Sequence, residues 1–134
     1  FAVGFMGLLG NPRAVGEAFH ITSDELLTWN QIYALLARAA GAEPNLVHVP
    51  SEIIARFDPE LGAGLLGDKA HSVIFDNSKI RRFAPDFAPA IPFAAGAAEI
   101  MAWYDADPRR QVVEQQVDEM QDRLIAAVQK AMPG

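Results

Sequence analysis

The chain contains no cysteine, which excludes a disulfide framework and a thiolate metal site and makes a reducing cytoplasm the expected setting. It is poor in basic residues: 11 Lys and Arg stand against 17 Asp and Glu, a net charge of −6. Nucleic-acid binding needs clustered cations that displace counterions, so that class of function is excluded. No apolar run approaches the ~20 residues that a membrane-crossing helix requires. The opening stretch Phe1 to Gly10 is apolar, yet it has neither the positive n-region of a secretory signal nor an initiator methionine. It reads as the inside of a helix cut from a longer chain. What is present is 134 residues, 51% of them apolar, enough for one domain with a modest core.

Hydrophobic periodicity suggests alternating elements. Phe1, Phe5, Leu8 and Leu9 fall at helical spacing and stop at Gly10-Asn11-Pro12. Residues 17–22 and 46–49 read as short strands. Between them, Thr28-x-x-Gln31 is a capping box for a helix through Ile32, Tyr33, Leu35 and Leu36 that ends at Gly41. Ser51 would cap a helix carrying Ile53, Ile54 and Phe57. A strand–helix–strand order with so long a crossover implies parallel pairing, so the expected fold is α/β, a small parallel βαβ core with several packing helices. After Pro59, residues 60–70 carry three glycines and read as a long loop or lid. Residues 72–75 suggest a further strand, with Asp76 as cap of a short helix holding Ile80 and Phe83. From Phe93 a helix bears Ala97, Ile100, Met101 and Tyr104, with Gly96 placed for a close neighbour. Asp107-Pro108 opens an amphipathic last helix lined by Val113, Val117, Met120, Leu124 and Val128.

Several motifs bear on chemistry. Gly62-Ala63-Gly64-Leu65-Leu66-Gly67 matches the dinucleotide fingerprint, with Asp86 about 20 residues on. Its context is wrong, because Phe57-Asp58-Pro59-Glu60 precedes it where a buried strand should stand, so no cofactor-binding residue is assigned. His20, His48 and His71 lack the spacing of a compact metal site, and no metal ligand is assigned. His20 and His48 read as hydrogen-bonded strand-end residues. Asp68, Lys69 and His71 cluster on the glycine-rich stretch, where they either close over a ligand or are simply solvated. Trp29, Tyr33, Trp103 and Tyr104 alternate with aliphatic residues and read as core packing. Arg81-Arg82 and Arg109-Arg110 read as helix-end or surface pairs. No nucleophilic serine and no catalytic carboxylate pair is identifiable.

The string Gly10-Asn-Pro-Arg-x-x-Gly-Glu-x-Phe-His-Ile-Thr22, the helix opening Thr28-Trp29, Asp76-Asn-Ser-Lys79-Ile with Pro85, and Phe93-x-x-Gly96 ahead of Trp103-Tyr104 occur in one order. Over residues 1–108 the chain resembles the C-terminal half of NAD-dependent epimerase/dehydratases, the extended short-chain dehydrogenases/reductases. The resemblance implies a Rossmann-type parent whose N-terminal half holds NAD or NADP and supplies a Tyr-x-x-x-Lys pair for proton transfer, while the C-terminal half shapes the substrate pocket. No Tyr-x-x-x-Lys occurs in this sequence, so no catalytic residue carries over and these residues alone should be inert. Sugar-nucleotide members often have an arginine just before the Gly-Asp that precedes the Asp-x-x-Lys helix. Here Leu65-Leu66 precede Gly67-Asp68, which argues for a smaller or less charged carbonyl or alcohol. By position, the candidate substrate-binding residues are Gly67, Asp68, Lys69 and His71.

The function expected is therefore the substrate-binding portion, residues 1–108, of an NAD(P)-dependent oxidoreductase, epimerase or dehydratase, followed by an amphipathic helix over 109–134. Its expected partners are a small-molecule substrate and the nucleotide-binding half, with self-association left open. The rival reading, from another class, is a free-standing binding or oligomerisation module that assembles through the last helix.

Overall fold

The computed structural model of the protein describes residues 1–131, and among them every regular element is helical. The expected α/β fold is thereby corrected: none of the described residues forms a strand, and there is no parallel βαβ core. The three apolar runs expected as strands form no strand and carry no backbone ladder. Two of them run side by side. The His20 and Phe75 rings meet at 4.8 Å, and Thr22 bonds to Asn77 at the same offset of 55 residues, so the segments point in one direction. At that point the Asn77 side chain accepts from the Thr22 N–H and donates to the Thr22 carbonyl. An amide side chain thus satisfies the groups that a neighbouring strand would have bound. Parallel sheets persist only when covered on both faces; here Val73, Ile74 and Phe75 are 63%, 71% and 50% exposed.

The chain divides into two units, one formed by Phe1–Glu43 with Val73–Met101, the other by Pro44–Ser72 with the residues from Ala102 onward. In the first unit α1 (Ala2–Leu8) is apolar on every side. Its inner face is made of glycines because it lies directly on its neighbours: a Cβ on Gly7 would stand 2.5 Å from the Ala84 Cβ. The turn after it needs a positive φ, supplied by Gly10 at 74°. α2 (Trp29–Ala39) has the expected capping box, with both reciprocal hydrogen bonds formed, and ends before Gly41 at φ 68°. α5 (Ser78–Phe83) carries Ile80, which is fully buried. Ile80, Ala84 and Phe87 form the core, against which Leu8, Phe19 and Ile21 pack.

In the second unit α3 (Ser51–Phe57) crosses α4 (Pro59–Gly67), and α7 (Gln115–Ala131), whose Leu124 and Val128 are buried, packs on α3. The N-cap of α3 is Pro50, not Ser51, which lies inside the helix. The last helix begins seven residues later than Asp107-Pro108 suggests: Asp107 caps a separate 3₁₀ turn, Pro108–Arg110. Val113 therefore lies ahead of α7 and is exposed. α6 (Phe93–Asp105) is present as expected, but nothing lies within 4 Å of a Cβ built on Gly96; the close contact falls on fully buried Ala97 instead.

The aromatic residues expected in the core lie outside it. Trp29 and Tyr33 pair with each other at 6.1 Å and are mostly exposed, as is Trp103, which meets Tyr104 edge-on at 5.0 Å. No described helix is long and apolar enough to cross a membrane.

Candidate functional site

The stretch expected as a loop or lid is mostly helix. Asp58 caps it, its Oδ1 accepting from the Glu60 and Leu61 N–H groups at 3.1 and 2.9 Å, and Pro59 occupies the first turn, where its missing N–H costs nothing. The fingerprint glycines thus stand inside α4. Gly62 is buried because α3 passes against it: a Cβ there would come within 2.3 Å of the Ala55 Cα. Gly64 and Gly67 face open space. The fingerprint spacing therefore serves a helix crossing at one position and nothing visible at the other two. Backbone amides committed to helical hydrogen bonds are not available to cradle a pyrophosphate.

Of the candidate substrate-binding residues, Gly67 ends α4, Asp68 is its C-cap, and Lys69 and His71 follow in the bend beyond. All four are exposed. Lys69 Nζ lies 3.4 Å from Asp68 Oδ2, an ion pair between neighbours in the chain that water screens heavily. An open cleft of about 370 Å³ runs along α4, lined by Asp58, Glu60, Leu61, Gly64, Leu65 and Lys69. The structure brings Lys69 to this cleft and leaves Gly67, Asp68 and His71 off its lining. Its lining combines two leucines with Glu60 and Lys69, while Asp58 is engaged as the helix cap. Such a site can hold a small molecule with one polar end. It contains no nucleophile–base pair and no oxyanion-type donor set.

The histidines do not converge. No group of three metal-ligating side chains occurs among the described residues, and the His20 ring packs edge-on against Phe75.

The most ordered polar constellation is one that the sequence reading missed, and it lies in the first unit. Asn77 is 3% exposed. Its Oδ1 accepts from both the N–H and the hydroxyl of Thr22 at 3.2 Å, while its Nδ2 donates to the Thr22 carbonyl at 2.9 Å and to Asp24 Oδ1 at 3.0 Å. Arg81 donates to the other Asp24 oxygen. The Asn77 amide donation, then that of Arg81, holds the Asp24 carboxyl below its usual value. Nearby, Lys79 pairs with Glu17 at 2.6 Å and lies over the Phe19 ring, 4.9 Å from its centroid. The Asp76-Asn77-Ser78 string was visible as a helix start; that Asn77 would reach 55 residues back to Thr22 was not, because one sequence carries no sign of a long-range pair.

Comparison with known proteins yields no match: no family model, no curated protein and no solved structure aligns with this chain.

Proposed function

We propose that the chain is the substrate-binding portion of an NAD(P)-dependent oxidoreductase, epimerase or dehydratase, inert until it is joined to a nucleotide-binding half. The resemblance of residues 1–108 to extended short-chain dehydrogenases/reductases supplies the chemistry. The observation that supports incompleteness is uncovered surface. Within the first unit that surface is apolar: Phe1, Val3 and Met6 on α1 are 78%, 56% and 64% exposed, alongside the unladdered run Val73–Phe75.

On this reading NAD or NADP binds to the other half, which also supplies the proton-transfer residues, and the working compartment is the cytoplasm. The segment at the end of α4, where Lys69 lines the cleft with Leu61 and Leu65, contributes to the substrate side and suits a small carbonyl or alcohol with one polar end. The test is a fluorescence titration with NADH. The chain alone should leave the cofactor signal unchanged, and the longer protein containing it should bind and transfer hydride. Tight NADH binding by these 134 residues alone would refute the reading.

One observation favours the second reading, an oligomerisation module: Val112, Val113 and Val117, ahead of and at the start of α7, are 77%, 70% and 45% exposed. Deleting residues 111–134 and weighing the product by sedimentation separates the two. An unchanged oligomeric state would refute the module.

A further inference from the structure

Ser23, Asp24 and Glu25 form one exposed turn that grips two other elements of the first unit. Asp24 holds the start of α5 through Asn77 and Arg81. Glu25, next in the chain, accepts from the Phe93 N–H at the start of α6, where the helix dipole favours a negative charge. Between α5 and α6 runs an irregular segment with Pro85, Pro89 and Pro92, and it carries Phe87 into the core. Phe87 lies beneath α1, within 3.0 Å of where a Cβ on Gly4 would stand. Two adjacent carboxylates thus close both ends of the segment that brings Phe87 onto Ile80 and Ala84.

We propose that this turn, with Glu25 holding the start of α6, is an acid-released clasp: protonation of Asp24 frees the start of α5 and uncovers the apolar core under Phe87. Hydrogen bonds to an ionised acceptor are about twice as strong as neutral ones, so loss of the charges weakens the grip without altering its shape. The charged groups around the turn are Arg81, which faces Asp24, and behind it Asp76, which accepts from Ser78 and lies near Arg81 and Arg82. On the Glu25 side, α6 presents the Phe93 N–H, and within the turn the Ser23 hydroxyl accepts from the Glu25 N–H. Asp24 sits below its ordinary value of 3.8 because Asn77 and Arg81 bond its charged form. A carboxyl lowered in the folded state contributes stability that is present above 3.8 and is lost as pH falls through the lower native value. The clasp is shut at neutral pH and opens only in acid.

The test follows amide hydrogen exchange, corrected for its intrinsic pH dependence, together with fluorescence of an apolar-surface dye, from neutral pH into acid. In the wild-type protein, protection at Ala84 should fall and dye fluorescence should rise below pH 3.8. The Gly62 amide of the second unit should keep its protection through that step. The Asp24→Asn/Glu25→Gln double variant should show the open state at neutral pH and lose the acid step. Asp107→Asn removes another lowered carboxyl, held by Arg109 in the second unit, and should leave the step where it is. Should the double variant fail to fold, Glu25→Gln alone should lower Phe93 protection at neutral pH about tenfold or more, the loss of one charge-assisted hydrogen bond. A double variant that stays shut at neutral pH, an acid step that moves with Asp107→Asn, or unchanged Phe93 protection in Glu25→Gln would overturn the proposal.

Discussion

Replacing the three fingerprint glycines by alanine, one at a time, separates a helix crossing from a phosphate-binding loop. At Gly62 the new Cβ would stand 2.3 Å from both Cα and Cβ of Ala55 and 3.0 Å from its backbone nitrogen. The obstacle is backbone, so α3 and α4 must move apart. Overpacking of this kind costs about 1–3 kcal/mol, and Gly→Ala in a helix interior returns about 1 kcal/mol. Because a backbone obstacle puts the cost in the upper part of that range, about 2–3 kcal/mol, the net for Gly62→Ala is a destabilisation of about 1–2 kcal/mol, or roughly 4–16 °C in Tm for a unit of this size. Gly64 has open space around its Cβ position, so Gly64→Ala keeps the helix-propensity gain and should stabilise by about 0.5–1 kcal/mol. Gly67, at the helix end, should change little. Urea unfolding followed by circular dichroism measures all three. Equal harm at Gly62 and Gly64, or a neutral Gly62→Ala, would refute the argument that close helix packing alone explains the motif.

Asn77→Ala removes four hydrogen bonds and leaves the Thr22 N–H and carbonyl without their partners in a part-buried site; a loss of about 2–4 kcal/mol is expected by urea unfolding. Thr28→Ala breaks the capping box of α2 and should cost about 1 kcal/mol, visible as reduced helicity and a lower midpoint. Met6→Glu places a charge on the outer face of α1, where Met6 is 64% exposed; it should leave thermal stability within about 0.5 kcal/mol yet reduce dye binding at neutral pH and, on the proposed function, abolish docking of the nucleotide-binding half.

Local signals in the sequence were reliable where the physics is local. The Thr28–Gln31 box, the stop at Gly10-Asn11-Pro12, the positive φ at Gly41 and the helix from Phe93 all depend on residues within a few positions of one another. The strand expectations failed because a strand is defined by its neighbour. Phe19-His20-Ile21-Thr22 and Val73-Ile74-Phe75 have the composition of buried strands and even lie alongside each other, but no ladder joins them and Asn77 occupies the bonding groups of Thr22. The loop expected over 60–70 failed for a different reason. Three glycines weakened the helical pattern, while the cap at Asp58, the proline at 59 and the crossing at Ala55 outweighed them.

At the candidate site, the cluster of Asp68 and Lys69 was legible from sequence, but the cleft along α4 was not, since it depends on that unexpected helix. The aromatic residues Trp29, Tyr33 and Trp103 match a core by periodicity and are nevertheless exposed. Each finds its partner nearby in the chain instead, Trp29 on Tyr33 and Trp103 on Tyr104 and Arg110.

The most direct test of that function is the mass and nicotinamide binding of the natural gene product that contains these residues, isolated without truncation. The proposed function requires a protein well above the 14.5 kDa of this chain that quenches or enhances NADH fluorescence and does not bind an apolar-surface dye at neutral pH. A monodisperse natural product of 14.5 kDa that ignores the nicotinamide and stays dye-free would contradict it.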